Sequence, residues 1–208
     1  MNSLQLLKDI KPGKEDARIN SLTVFKDQLY FGALSSDDDE QVLWKSDGTT
    51  EGTVMVTRFE GIARGAEMSA LTKTEEKMFF LLRHEDFGEE LYVSDGTASG
   101  TYLVKDINPG ERDSYIRDMT PFRDGIAFVA EPEGKQSLWI SDGTETGTFP
   151  ITAPSSSVTL YGVTNGMIFF NYNLKLWRTD GSPEGTIHLL DDDLDLRIEI
   201  DELIFFNE

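Results

Sequence analysis

The sequence predicts an all-β fold, a five-bladed β-propeller of four-stranded antiparallel blades, from three observations. A turn motif recurs four times, an apolar strand signature recurs five times, and the two chain ends together supply three-quarters of a further repeat. With 208 residues, 38% hydrophobic and 11% aromatic, the chain holds enough apolar surface for a sizeable core, and β-sandwiches, barrels and propellers of this length form one domain. A single domain over 1–208 is therefore expected.

The turn motif aligns without gaps as Leu43-Trp44-Lys45-Ser46-Asp47-Gly48-Thr49, Leu91-Tyr92-Val93-Ser94-Asp95-Gly96-Thr97, Leu138-Trp139-Ile140-Ser141-Asp142-Gly143-Thr144 and Leu176-Trp177-Arg178-Thr179-Asp180-Gly181-Ser182. A second Gly-Thr pair stands five residues after each Asp, at Gly52-Thr53, Gly100-Thr101, Gly147-Thr148 and Gly185-Thr186. The Asp positions advance by 48, 47 and 38 residues, a period suited to a four-stranded blade and too long for a leucine-rich repeat.

Four short apolar runs fall within each period. In the first they are Leu22 to Phe25, Leu29 to Leu34, Val42 to Lys45 and Val54 to Val56, here termed strands A to D; none has helical length or periodicity. Strand B repeats as Leu29-Tyr30-Phe31, Met78-Phe79-Phe80, Ile126-Ala127-Phe128, Met167-Ile168-Phe169 and Leu203-Ile204-Phe205. Consecutive apolar residues suit a strand covered on both faces. Pro150 lacks the N–H that a central strand must donate, which places D at the sheet edge.

The repeat units span about 17–60, 66–108, 115–153 and 155–191, with a fifth made of 195–208 and 2–10. The segment Leu6 to Gly13 repeats Leu103 to Gly110, so the chain is expected to open on a strand D; Leu196 to Ile200 and Leu203 to Phe206 supply a fifth A and B. Pairing first and last strands in one sheet removes the exposed edges. The fifth unit has no strand C, so three arrangements stay open: a three-stranded fifth blade, a segment of a longer array, or edge complementation between two chains. The expectation is three-stranded closure, with a monomer or an edge-complemented homodimer as the solution states.

The pattern Leu-Trp-x-Ser-Asp-Gly-Thr-x-x-Gly-Thr-x-x-Val-Lys-Asp-Ile-x-Pro-Gly resembles the bacterial tandem repeat written ELWxxDGTxxGT, found in large secreted or surface-attached proteins. Leu91 to Gly110 is the closest copy, and the fourth departs at Thr179 and Ser182. The resemblance implies a propeller-like array, a binding, scaffolding or adhesive role at a bacterial surface, and no catalytic residues. The hairpin is similar also to the structural Asp-box of sialidases.

The side chains are read accordingly. Asp47, Asp95, Asp142 and Asp180 are expected to cap backbone N–H groups in tight turns, with Gly48, Gly96, Gly143 and Gly181 supplying positive φ, the second glycine turning the chain again and the threonine restarting strand D. A repeated calcium site is disfavoured, since hard cations want six or more oxygens and no Asp-x-Asp-x-Asp-Gly loop occurs. Trp44, Trp139 and Trp177, with Tyr92 in the same slot, are expected to fill space between blades. His84 and His188 occupy unrelated repeat positions and suggest neither a metal site nor a triad. No catalytic residue, metal ligand or cofactor is expected, and the absence of cysteine excludes disulfides and thiolate chemistry.

A formal charge of -19 repels phosphate backbones and anionic headgroups, so nucleic acid is not an expected partner. No stretch reaches the ~20 apolar residues needed to span a bilayer, and the N-terminus does not read as a signal peptide. The acidic residues gather in the B-to-C and D-to-A connections: Asp37, Asp38 and Asp39, Glu85 and Asp86 with Glu89 and Glu90, Glu131 and Glu133, and Asp191, Asp192 and Asp193. Variable loops on a repeated scaffold are where binding resides. The function expected is a non-catalytic binding or scaffolding module for a protein or glycan partner. A multivalent lectin is the alternative, and a glycoside hydrolase, which needs paired carboxylates in a channel, ranks below it.

Overall fold

A computed structural model describes residues 6–35 and 40–189. They form four antiparallel sheets of four strands each, every sheet running in simple chain order from one edge to the other. The chain divides between Asp113 and Ser114 into two compact units.

The first unit contains two sheets. The first comprises β1 (Asn20–Phe25), β2 (Gln28–Leu34), β3 (Gln41–Ser46) and β4 (Val54–Arg58); the second comprises β5 (Ser69–Lys73), β6 (Met78–His84), β7 (Gly88–Ser94) and β8 (Thr101–Lys105). Phe25, Tyr30 and Leu43 of the first sheet form one core with Met78, Phe80, Leu82 and Tyr92 of the second. Side chains alternate across a strand, so Phe79 and Leu81 face the other way and are buried as well. β6 reads as an uninterrupted apolar run because side chains on both of its faces are buried.

The second unit repeats the plan with β9 (Arg117–Phe122), β10 (Gly125–Ala130), β11 (Ser137–Ser141) and β12 (Phe149–Pro150), then β13 (Val158–Thr164), β14 (Met167–Tyr172), β15 (Lys175–Thr179) and β16 (Ile187–His188). Its core joins Phe122, Ala127, Val129 and Leu138 to Val158, Leu160, Ile168 and Phe170. Pro150 lies in the edge strand β12, as its missing N–H requires. The edge strands β12 and β16 have two residues each, too short to template pairing with another chain. Among the described residues no helix is long and apolar enough to cross a membrane.

The expected strands of the first repeat match β1 to β4 to within two residues. One register reading requires correction. Tryptophan pairs with phenylalanine across B and C as Phe31↔Trp44, Phe128↔Trp139 and Phe170↔Trp177, with Phe80↔Tyr92 in the second repeat. The fourth copy of the strand signature is therefore Ile168-Phe169-Phe170, not Met167-Ile168-Phe169. The two-residue turn Asn165-Gly166, both at positive φ, makes Met167 the hairpin-closing partner of Thr164, and turn length sets register.

The opening segment also departs from expectation. Residues 6–10 are not a strand. Lys8 Nζ donates to Thr50 O (3.3 Å) and Thr53 O (2.6 Å), and Thr50 Oγ1 donates to Leu7 O (2.8 Å), so hydrogen bonds to the first hairpin's loop hold the segment without a ladder. The expected fifth-repeat strands, Leu196 to Ile200 and Leu203 to Phe206, lie outside the described residues.

Candidate functional site

The four Asp-Gly-Thr hairpins share one set of side-chain hydrogen bonds. Asp47 Oδ1 accepts from Thr49 N (2.9 Å) and Thr49 Oγ1 (2.7 Å); Asp95 and Asp142 do the same with Thr97 and Thr144, and Asp180 with Ser182. The hydroxyl of that residue in turn accepts from the second glycine's N–H, at 2.9 to 3.1 Å in the four copies. These bonds to the charged carboxylate lower the pKa of Asp47, Asp95 and Asp180, the side-chain hydroxyl contributing most.

A second hydroxyl chain lies beneath. The first glycine's N–H donates to Ser46 Oγ (3.1 Å), Ser46 Oγ lies 2.7 Å from Thr53 Oγ1, and Thr53 Oγ1 donates to Thr49 O (2.6 Å). Because the threonine hydroxyl spends its hydrogen on the carbonyl, Ser46 donates to Thr53, and one direction runs through all four groups. The chain recurs through Ser94 and Thr101, Ser141 and Thr148, and Thr179 and Thr186. The fourth copy's departures at Thr179 and Ser182 exchange one hydroxyl for another.

The first glycines hold φ of +89 to +93°, as a tight turn demands. The second ones do not, so they are not turning the chain through positive φ. A Cβ on Gly100 would stand 2.1 Å from Asp95 Oδ1, and Gly52, Gly147 and Gly185 are crowded by their aspartates in the same way. The second glycine makes room for the carboxylate.

At the opposite end of the sheets, Glu85 and Asp86 form the exposed turn between β6 and β7. Glu85 N donates to Gly61 O (2.8 Å) and Asp86 N to His84 Nδ1 (3.0 Å); both residues are exposed, and the Asp86 carboxylate lies 3.9 Å from His84 Nδ1. Glu131 follows β10, where its carboxylate accepts from Gln136 Nε2 (3.1 Å). One acid counted with this group belongs to the scaffold. Glu90 is fully buried in β7 and accepts from Ile107 N (3.2 Å) and Asn108 N (3.3 Å). Glu89 N donates to Asp113 Oδ1 (2.8 Å), and burial, with the Asp113 charge, raises the Glu89 pKa against the pull of Arg83. Asp37, Asp38, Asp39, Asp191, Asp192 and Asp193 lie outside the described residues. Among those described, no group of three His, Asp or Glu is placed to hold a metal ion.

The aromatic slot of strand C is buried at Tyr92 and Trp139 and half-buried at Trp44 and Trp177. Trp44 stacks on Phe31, Tyr92 on Phe80 and Trp139 on Phe128, with centroids 5.9 to 6.5 Å apart. These rings are committed to their own sheets. A cleft of about 550 Å³ in the first unit was not legible in the sequence. It brings together Lys11, Arg18 and Arg64 with Glu15 and Asp16, cations scattered along the chain and gathered only by folding. Lys11, nearly buried, pairs with exposed Glu15 at 3.2 Å. Lys11 stands where the Leu103-to-Gly110 copy has Asn108, whose amide instead closes its own loop on Asp113 O at 2.7 Å.

No family model matches the chain, and no match is found among curated proteins. Among solved structures it is similar to TolB from Acinetobacter baumannii, at 16% identity over 83% of this chain and 43% of that one, with a TM-score of 0.47. It is similar also to a chain of a nidogen/laminin complex, at 13% identity over 78% and 60% with a TM-score of 0.45. A third is prolyl oligopeptidase B from Galerina marginata, at 12% identity over 78% and 24% with a TM-score of 0.45. The chain spans less than two thirds of the length of each.

Proposed function

We propose that this chain is a non-catalytic binding module whose repeats close into a five-bladed β-propeller of the ELWxxDGTxxGT kind. The observation that supports it is the division of labour among carboxylates. Asp47, Asp95, Asp142 and Asp180 accept hydrogen bonds within their own hairpins, whereas Glu85 and Asp86, at the other end of the sheet, face solvent. The partner chemistry that suits those loops, in a chain of charge -19, is a protein surface rich in lysine and arginine.

A decalysine peptide is the probe. Its affinity for the chain is expected to fall steeply with salt, and the variant Glu85→Lys/Asp86→Lys/Glu131→Lys is expected to lose most of it. The charge-matched control Glu51→Lys/Glu145→Lys/Glu184→Lys places the same three reversals in exposed hairpin loops and is expected to retain binding. Equal losses in the two variants would assign the affinity to net charge and remove the loops from the reading.

A further inference from the structure

The connection that enters β1 and the one that enters β9 are two copies of one loop. Residues 11–19 align without gaps with 108–116, sharing a Pro-Gly pair, an aspartate at Asp16 and Asp113, and an isoleucine at Ile19 and Ile116. They are held alike, Ala17 O accepting from Leu34 N (2.7 Å) and Ser114 O from Glu131 N (2.8 Å). What differs between the copies is therefore not required by the scaffold. Among the residues lining the cleft of about 550 Å³ in the first unit, three differences move charge the same way. Lys11 stands for Asn108 and Arg18 for Tyr115, each adding a cation, and Leu34 stands for Glu131, removing an acid. The opposite change, Glu15 for Arg112, is met by Lys11 Nζ at 3.2 Å.

Arg64 adds a third cation to this lining. Arg18 Nη1 stands 3.8 Å from the point where a Cβ on Gly65 would lie, so its guanidinium reaches the loop that carries Arg64. Asp16 Oδ1 accepts from Arg18 N (2.9 Å), and among the described residues no carboxylate pairs with the Arg18 guanidinium. We propose that the cleft binds a small molecule by its carboxylate, with Arg18 and Arg64 gripping the two oxygens and the nearly buried Lys11 adding its charge. A guanidinium presents paired N–H donors that match a carboxylate, and the cleft volume falls within the roughly 300–1,000 Å³ of small-molecule sites. A chain of charge -19 repels anions at long range, and Glu15 and Asp16 line the same cleft. Both facts disfavour a polyanion. They suit a ligand whose single carboxylate is accompanied by hydroxyl or ammonium groups, the chemistry of a sugar acid or of a short peptide. The site is independent of the partner proposed for Glu85 and Asp86.

Sodium glucuronate and glycylglycine are the probes, titrated calorimetrically into the full chain beside glucose and glycylglycinamide, which lack the carboxylate. At least one acid is expected to bind saturably at millimolar concentration or below, and its neutralised counterpart at least tenfold more weakly. Which acid binds separates the sugar source from the peptide source. Arg18→Gln/Arg64→Gln is expected to weaken that binding at least tenfold; both residues are exposed, so the fold is expected to survive. Lys14→Gln/Arg112→Gln removes the same charge from exposed positions outside the cleft and is expected to retain it. On saturation the Nε–H resonances of Arg18 and Arg64 are expected to shift while that of Arg112 stays. Absence of saturable binding by either acid, equal binding of the counterparts, or equal losses in the two variants would each overturn the proposal. Decalysine binding, measured on Arg18→Gln/Arg64→Gln as well, is expected to persist, so failure here and failure of the binding role are distinguishable.

Discussion

Ser46 Oγ donates to Thr53 Oγ1 across 2.7 Å, seven residues apart, and an equivalent pair closes each of the other three hairpins at 2.6 to 2.7 Å. The hydroxyl, and not the β-branch, is therefore what the second Gly-Thr pair supplies. Thr148→Val keeps the shape but leaves the proton of the buried Ser141 hydroxyl without its acceptor, and is expected to cost about 1–2 kcal/mol. Thr148→Ser keeps the relay and is expected to cost roughly 0.5 kcal/mol or less. Urea unfolding of the two variants is the measurement, and equal losses would refute the relay.

Gly100 and Asp95 are coupled by a contact that a side chain would violate. Gly100→Ala alone is expected to destabilise by about 1–3 kcal/mol, because its Cβ meets the carboxylate that the turn needs. Asp95→Ala removes that obstacle while giving up two hydrogen bonds. The double variant is expected to be less destabilised than the summed singles by about 1 kcal/mol. Strict additivity in a double-mutant cycle would show that Gly100 is required for another reason.

The hairpins were legible in the sequence because their chemistry is local and repeated. Asp47, Gly48 and Thr49 bond to one another within a few residues, and four copies reveal the rule. The Ser46–Thr53 relay was equally present as a hydroxyl seven residues ahead of a threonine, but no single copy distinguishes it from ordinary strand residues. Register in the fourth repeat was misread because Met167 and Ile168 are interchangeable as apolar residues, and only the turn at Asn165-Gly166 decides between them. Glu90 read as a loop acid because nothing local shows that Ile107 and Asn108 bring their N–H groups to it. The cleft at Lys11, Arg18 and Arg64 was invisible for the same reason, being assembled by long-range contacts.

Acid should weaken the fold through the hairpins. Hydroxyl and backbone bonds from Thr49, Thr97 and Ser182 depress the pKa of Asp47, Asp95 and Asp180 below the ordinary 3.8. A group whose folded pKa is depressed stabilises the fold fully above its unfolded pKa, and the contribution is lost as pH falls through the folded value. Stability is therefore expected to decline below about pH 4. Thr97→Val is expected to raise the Asp95 pKa back toward 3.8, and NMR titration of the Asp95 carboxylate measures it; an unmoved pKa would show that the hydroxyl is not the cause.

Glu90 holds the connection after β8 and also acts on Tyr92. Burial, aided by the nearby Glu90 charge, pushes the Tyr92 hydroxyl up to about 12. Glu90→Leu leaves the N–H groups of Ile107 and Asn108 without their carboxylate and is expected to cost about 3 kcal/mol. Glu90→Gln keeps an acceptor, costs less, and removes the charge. Tyr92 should then titrate below its present value yet above the ordinary 10, because desolvation, the larger cause, is untouched. With a folded pKa raised above the unfolded one, stability due to Tyr92 is full below about pH 10 and declines as pH rises toward 12. That alkaline loss should shrink in Glu90→Gln. Spectrophotometric tyrosine titration alongside urea unfolding at pH 8 and pH 11 reads both effects, and an unchanged Tyr92 titration would show that Glu90 acts on the fold through its hydrogen bonds alone.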